Sequence, residues 1–241
     1  MRTVSRSAVP ALTTEQMRAV DRAMVDDLHI ELVQMMENAG RSLAELAITR
    51  FSPTSVTVLA GPGGNGGGGL VAGRHLANRG CQVQIVLSEP GRLTPVPAHQ
   101  ADILARMGVT IARQPATADL VIDALIGYSL RGDPAGAAAE LITWATGQAA
   151  PELALDTPSG LDLTTGVAGT PAVRATATLT LALPKAGLFD APNVGELYLA
   201  DISVPPLVYQ RMGIAVPELF RQSSLLRIGP SASSAPLGHK A

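Results

Sequence analysis

The sequence has little cysteine, little net charge and no long apolar run, and each shortage narrows the class of protein. Cys81 is the single cysteine, so no internal disulfide can form, and we expect it to be buried as a small apolar residue. The net charge of −2 gives no electrostatic reason to bind nucleic acid or a membrane surface. No stretch approaches the roughly 18 apolar residues of a membrane-spanning helix, and no charged segment followed by an apolar one opens the chain. We therefore expect a soluble, cytoplasmic protein.

Several common catalytic signatures are also missing. No G-K-[ST] follows the glycine-rich segment, which excludes a Walker-type phosphate loop. There is no G-x-S-x-G, and the histidines show no triad spacing, so Ser159 is not expected to be a nucleophile. An ordinary NAD-dependent dehydrogenase would need a substrate domain and an acid/base for hydride chemistry, and neither is evident.

The pattern of apolar residues predicts an α/β fold. Thr13 and Gln16 form a capping box for a first helix through residue 27, and a second helix follows over 31–50. Further along the chain, short apolar runs alternate with amphipathic stretches. Strands are predicted at 55–60, 81–87, 108–112, 119–125, 152–155, 175–182 and 195–200, and helices at 70–79, 95–107 and 135–147. This alternation predicts a Rossmann-like three-layer αβα sandwich with a mostly parallel sheet.

The chain is long enough for one large domain with a full hydrophobic core. We see no linker wide enough to divide it, and no internal repeat. We predict a single domain over residues 1–221. Residues 1–11 are expected to be a loose lead-in, and residues 222–241, rich in Ser, Pro and Ala, a mobile tail.

The segment 61–69 is the most informative feature. It follows a β-branched strand and holds seven glycines, one proline and Asn65. Glycine permits positive φ and lets backbone N–H groups approach a ligand, while a helix opening at Leu70 would add free donors and a partial positive charge. G-x-G-x-x-G is satisfied within the segment, and Glu89 follows the next strand about where a ribose-binding acid would sit. The alternative is a tight turn with no ligand, but the number of glycines favours a nucleotide pocket.

Polar residues follow several of the other predicted strands. Asp123 and Asp156 end two apolar strands, Ser159 follows on a turn stiffened by proline, and Lys185 follows a later strand. In open parallel sheets, ligands bind beyond the carboxyl ends of the strands, so we expect these groups to converge. Each aspartate could instead cap its own loop, and Lys185 could reach a phosphate or extend to water. Asp, Asn and Ser oxygens without Cys or His are typical of a hard-cation site.

Seven stretches together resemble one known family. They are L-T-T-E-Q-M at 12–17, M-E-N-A-G-R at 36–41, A-G-P-G-G-N-G-G-G-G at 60–69, V-I-D-A-L-I-G at 121–127, L-A-L-D-T-P-S-G-L-D at 153–162, L-P-K-A-G-L at 183–188 and G-E-L-Y-L-A-D-I at 195–202. In this order, over about residues 12–206, the chain resembles the NAD(P)H-hydrate epimerase family, also known as the YjeF N-terminal domain.

The resemblance implies a function and a set of site residues. The family interconverts the R and S forms of hydrated NADH and NADPH (NADHX and NADPHX), so that an S-specific dehydratase can repair both; it binds potassium and is commonly a homodimer. Carried over, Asn65, Asp123 and Ser159 would hold the potassium ion. The nucleotide would be bound by Gly64, Asn65, Gly66, Gly67, Gly68, Gly127, Tyr128, Ser129, Leu130, Arg131, Gly132, Asp133 and Asp156. Asp156 would be catalytic, donating a proton to the oxygen that leaves C6 of the nicotinamide ring and stabilising the ring cation.

Two positions depart from the family's usual loop, N-N-G-G-D-G. Gly64 replaces the first asparagine and Gly68 replaces the aspartate, which removes a carboxylate from the helix entrance. The departure indicates either a weakened epimerase or, as the alternative function, a non-catalytic nucleotide-binding or scaffolding protein on the same fold.

Overall fold

The structure, a computed structural model, describes residues 1–230. Its helices are α1 (Thr14–Arg22), α2 (Leu32–Phe51), α3 (Gly64–Ala77), α4 (Pro95–Arg106), α5 (Gly136–Thr146) and α6 (Pro206–Arg211). Its strands are β1 (Arg2–Ser5), β2 (Ser55–Ala60), β3 (Gln82–Leu87), β4 (Thr110–Ala112), β5 (Leu120–Ala124), β6 (Glu152–Leu155), β7 (Ala177–Leu181), β8 (Glu196–Ala200) and β9 (Leu225–Gly229). The predicted capping box of Thr13 and Gln16 is present at the start of α1, which continues as a π-helical turn over Ala23–Asp27.

The strands form one sheet in the order β1-β9-β8-β7-β6-β5-β2-β3-β4. Every neighbouring pair is parallel except β8 with β9. From β2 the chain builds outward through β3 and β4, and it then returns to β5 and builds in the opposite direction. A crevice is expected beyond the carboxyl ends of β2 and β5, where the strand order reverses.

Helices cover both faces of the sheet. In β2, Val56 and Val58 pack against apolar residues of α2, α3 and α4, whereas Leu59 packs with Leu141 and Ile142 of α5. Successive residues of a strand point to opposite faces, so burial on both sides explains why these strands are almost continuously apolar. The predicted mostly parallel α/β sandwich is therefore confirmed. Within residues 1–230, no helix combines the length and apolar character that a membrane crossing requires.

The predicted start of the third helix at Leu70 is wrong, because the glycine run is itself helical and α3 begins at Gly64. No glycine in 61–69 has a positive φ. Their value lies in close approach: a Cβ on Gly67 would lie 2.4 Å from Met36 Sδ of α2, and one on Gly69 would lie 2.4 Å from Ala124 Cβ of β5. Glycine's low helix propensity suggested a loop, but packing of α3 against its neighbours outweighs it.

Residues 1–11 and 222–230 each contain a strand that the sequence did not predict. β1 lies within the expected lead-in, and β9 lies beyond the expected domain boundary at residue 221. The two strands pair in parallel, with Arg2 opposite Leu226 and Ser5 opposite Gly229. The domain therefore extends through β9, and only residues 231–241 of the predicted tail lie outside the described range. The composition of these segments indicated disorder. The strands could not be predicted because each is stabilised by a partner that is distant in the sequence.

Candidate active site at the strand-order reversal

A cavity of about 650 Å³ opens where the strand order reverses. This volume is in the range of small-molecule sites. The glycine segment after β2 and the loop after β5 form two of its walls. Side chains of α1 and α2, among them Met17 and Met36, form another. Among the predicted binding residues, those that line it are Gly64, Asn65, Gly68, Gly127, Tyr128, Ser129, Leu130, Asp133 and Asp156. Gly66, Gly67, Arg131 and Gly132 are not among its lining residues.

The N-terminus of α3 points its free backbone donors toward the cavity wall. The first bond inside the helix is donated by Gly67 N–H to Gly63 O, at 3.0 Å. The N–H groups of Gly64, Asn65 and Gly66 therefore have no acceptor within the helix. Such a helix end binds phosphate through these donors and the helix dipole. The phosphate seat stays a prediction, and its donors belong to helical backbone and not to a positive-φ loop.

Asp156 and Lys185 form a buried ion pair at the inner end of the cavity. Lys185 is 1% exposed, and its Nζ donates to Asp156 Oδ1 and, at 3.3 Å, to the Leu181 carbonyl oxygen. The ammonium group is therefore bound by protein oxygens instead of extending to water, while Lys185 also lines the cavity. Because the ammonium stabilises an ionised carboxylate, the pair suits Asp156 to stabilising a ring cation better than to donating a proton.

The backbone at Asp156 is also unusual. Its φ is +65°, in the left-handed region that non-glycine residues seldom occupy, although aspartate and asparagine tolerate it best. Such conformations cluster at functional sites, where the surrounding structure holds them in place.

Asp123 and Ser159 lie in direct contact beneath the loop that follows β5. Ser159 N–H donates to Asp123 Oδ2 at 2.7 Å, and the Ser159 hydroxyl donates to Asp123 Oδ1 at 2.6 Å. Ile126 N–H in turn donates to Ser159 Oγ at 2.9 Å. Burial raises the pKa of Asp123 to about 6 despite these hydrogen bonds. Within residues 1–230, no basic side chain lies within ion-pair distance of this carboxylate.

Asn65 lies on the other side of the same loop. A Cβ added to Gly127 would lie 3.4 Å from Asn65 Cγ and 3.5 Å from Asp156 Oδ2, so Gly127 separates the two side chains. Asn65 Nδ2 is buried and has no hydrogen-bond partner among the described residues. The three predicted potassium ligands thus comprise one touching pair, Asp123 and Ser159, and a third residue across the backbone of Ile126 and Gly127.

The structure adds a pair that the sequence analysis missed. The Tyr128 hydroxyl donates to a carboxylate oxygen of Asp21 on α1, and both residues line the cavity. The sequence pattern of α1 marks only its apolar face, to which Asp21 does not belong. The usable signal was an acidic residue directly after buried Val20, beside that face.

A close neighbour of Gly68, Leu155, explains why this position holds glycine where the family usually has aspartate. A Cβ at this position would lie 2.7 Å from Leu155 Cδ2 and 3.9 Å from Ala39 Cβ. Leu155 is fully buried, so an aspartate at position 68 would require this leucine to turn away. The space that the family's carboxylate would enter is therefore apolar in this chain.

Glu152 is a second buried carboxyl near Asp123, at the start of β6. Burial, and then the charge of Asp123, raise the pKa of Glu152 to about 7. The folded state therefore holds this proton more tightly than the unfolded state, and the free energy of unfolding should fall as pH rises from about 4.5 to about 7. We expect Glu152→Gln to remove most of this decrease, which is about 3 kcal/mol for a shift of this size. Urea unfolding between pH 4.5 and 8 measures it, with exposed Glu140→Gln as the control; equal slopes in both variants would contradict the assignment.

Comparison with known proteins agrees with this geometry. The family described as YjeF-related protein N-terminus matches residues 32–187. An NAD(P)H-hydrate epimerase of Dehalogenimonas lykanthroporepellens is 44% identical, over 88% of this chain and 89% of its own length. One of Rhodopirellula baltica is 34% identical, over 82% and 86%. The bifunctional NAD(P)H-hydrate repair enzyme Nnr of Hyperthermus butylicus is 42% identical over 78% of this chain, which spans 38% of that enzyme.

A solved structure supports the fold independently. The crystal structure of the yeast protein ynu0 superposes with a TM-score of 0.81 at 20% identity, over 91% of this chain and all of that one. With the family match covering most of the sheet and the cavity, the chain belongs to the YjeF-related protein N-terminus family.

Proposed function

We propose that the protein is an NAD(P)H-hydrate epimerase that interconverts the R and S forms of NADHX and NADPHX in nicotinamide nucleotide repair. The observation that carries the proposal is the buried Asp156–Lys185 pair, in the same cavity as the open N-terminus of α3. The names of the relatives support it, and the chain spans nearly the full length of those named epimerase alone. It spans about two fifths of the bifunctional enzymes, so no dehydratase activity is proposed.

The N-terminus of α3 would bind the substrate, and the Asp156–Lys185 pair would act on its nicotinamide ring. The pyrophosphate would accept hydrogen bonds from the first N–H groups of α3, which places the nicotinamide ring toward Asp156. The C6–O bond breaks, the lone pair of the ring nitrogen forms a cationic C=N bond, and the hydroxyl leaves as water after receiving a proton. The Asp156 carboxylate stabilises that cation. Water then adds to C6 from either face and releases the proton, which restores both epimers.

We also propose that Asp123, Ser159 and Asn65 hold a potassium ion. The buried Asp123 carboxylate has no basic partner among the described residues, and the Ser159 hydroxyl beside it and the Asn65 amide oxygen across the loop are further oxygen atoms of the kind that a hard cation prefers. The ion would orient the phosphate and the loop after β5. We expect Asp123→Asn to abolish the potassium-dependent rise in Tm, measured in potassium against sodium chloride, whereas Asp102→Asn on the surface should leave it unchanged. An equal rise in Asp123→Asn would refute the site.

One assay separates catalysis from mere binding. The protein is added to a mixture of NADHX epimers with an S-specific dehydratase and its nucleotide cosubstrate. Complete consumption of both epimers, faster than in a blank without the protein, would demonstrate epimerisation. If the R form persists as in the blank, the chain is the alternative, a nucleotide-binding or scaffolding protein.

We further propose a cytoplasmic homodimer. The location is the one expected of nicotinamide nucleotide repair, and the assembly is the one that the family resemblance implies. Light scattering during size-exclusion chromatography measures the mass directly, and a mass equal to that of a single chain would contradict the dimer.

A further inference from the structure

Asp21 is a carboxyl group of the cavity for which the proposed function has no role. Asp21 lies on α1, before the segment that the family model matches. It is not one of the residues predicted to bind substrate or metal. It is half-buried, lines the cavity and accepts a hydrogen bond from Tyr128. The contact joins residues 107 positions apart in the sequence, so it is a product of the fold.

Tyr128 stands between the carboxyl groups of Asp21 and Asp156. Its hydroxyl is bonded to Asp21, and its ring centroid lies 6.0 Å from the Nζ of Lys185, which is paired with Asp156. A phenol whose hydrogen points to one carboxylate still has a free lone pair on its oxygen. Tyr128 can therefore accept a proton from a substrate hydroxyl or water while passing its own proton to Asp21, and can do the reverse.

The reaction needs such a group. Breaking the C6–O bond requires a proton for the departing oxygen, and re-addition of water requires that proton to be removed. Asp156 is paired with Lys185 and suits the role of stabilising the cation, so the proton must be held elsewhere.

We propose that Asp21, acting through Tyr128, stores the proton that leaves with and returns from the C6 hydroxyl. In the forward half, protonated Asp21 donates to the Tyr128 oxygen as the Tyr128 hydrogen moves to the departing hydroxyl, which gives water, the ring cation and ionised Asp21. In the return half, water adds to C6, its proton passes to the Tyr128 oxygen, and the Tyr128 hydrogen returns to Asp21. No oxidant or other reactant is consumed. This assignment rests on the proposed epimerase function.

The electrostatic surroundings agree with a proton store. Burial raises the pKa of Asp21, and this effect outweighs the hydrogen bond from Tyr128 and the nearby charge of Lys185, while Asp156 raises it further. Tyr209 of α6 also faces Asp21, and burial followed by the charges of the neighbouring aspartates raises the pKa of that phenol. Burial and then Asp21 raise the pKa of Tyr128, so the phenol stays protonated over the pH range in which carboxyl groups titrate. The direction favours protonated Asp21, and kcat should fall as pH rises through its pKa.

The test compares Asp21→Asn with Tyr128→Phe in the coupled epimerase assay. Asparagine still accepts the hydrogen bond of Tyr128 but cannot carry a proton, so a purely structural role would survive the change. We expect kcat to fall about 10²-fold, the lower end for general acid–base catalysis, with KM little changed and the alkaline decline of kcat lost. Because the two residues form one relay, the double variant should be no slower than either single variant.

Controls distinguish the possible failures. Asp26→Asn, an exposed aspartate just after α1, should leave kcat and its pH profile unchanged. Thermal melting shows whether each variant folds; if Asp21→Asn does not, Tyr128→Phe alone must show the fall in kcat and the lost alkaline decline. A wild-type kcat and pH profile in a folded Asp21→Asn or Tyr128→Phe would overturn the relay, as would single losses that multiply in the double variant. An inactive wild-type protein would instead refute the epimerase function itself.

Discussion

Asp156→Asn should lower kcat for epimerisation by about 10²- to 10³-fold, the range seen when one preorganised electrostatic contact to a transition state is removed. The substitution keeps the shape of the side chain and tolerates the left-handed backbone at this position, so the chain should still adopt its fold. What it removes is the negative charge beside the developing ring cation. The coupled assay with an S-specific dehydratase measures the loss.

The control for this prediction is the same aspartate-to-asparagine change at a surface position away from the cavity. Asp102→Asn lies on the exposed side of α4, paired with Arg106 one turn away, and should retain wild-type kcat. If Asp156→Asn also retained wild-type kcat, Asp156 would be excluded as the group that stabilises the cation. KM should change less than kcat, because the phosphate seat on α3 is untouched.

Lys185→Met should lower the free energy of unfolding by about 3–5 kcal/mol, the cost of leaving one member of a buried ion pair without its partner. Methionine matches the length of the lysine stem, so the loss comes mainly from the stranded carboxylate of Asp156 and not from a cavity. Urea unfolding at neutral pH provides the measurement.

The double variant Asp156→Asn/Lys185→Met separates stability from chemistry. Removing both charges should recover much of the lost stability, because neither partner is left charged and buried. Activity should stay as low as in Asp156→Asn alone. Stability losses that simply add in the double variant would show that the two side chains are not coupled.

The sequence was a good guide to the sheet and to the rim of the cavity. Apolar runs such as Leu120–Ala124 predicted the positions of seven strands, β2 to β8, because burial on both faces makes these segments almost continuously apolar. Asp123, Asp156 and Ser159 could be placed at strand ends for the same reason, since a polar residue after a buried strand stands out. The contact between Asp123 and Ser159 follows from neighbouring strands β5 and β6.

Features that depend on distant parts of the chain were not predictable in the same way. The helical glycines require Met36 and Ala124 at contact distance, and Gly68 leaves room for Leu155. Asp21 acquires its partner from a loop more than a hundred residues away. The sequence left Lys185 to reach either a phosphate or solvent, and its pairing with Asp156 depends on the fold.

The pairing of β1 with β9 has a consequence for how the molecule would resist force. The strands run parallel, so the first residue of the chain and the end of β9 emerge from opposite ends of the same hydrogen-bonded pair. Tension applied between these points would shear all of the bonds between the two strands together, instead of unzipping them one after another. β1 and β9 thus act as a mechanical clamp at the edge of the sheet, far from the chemistry.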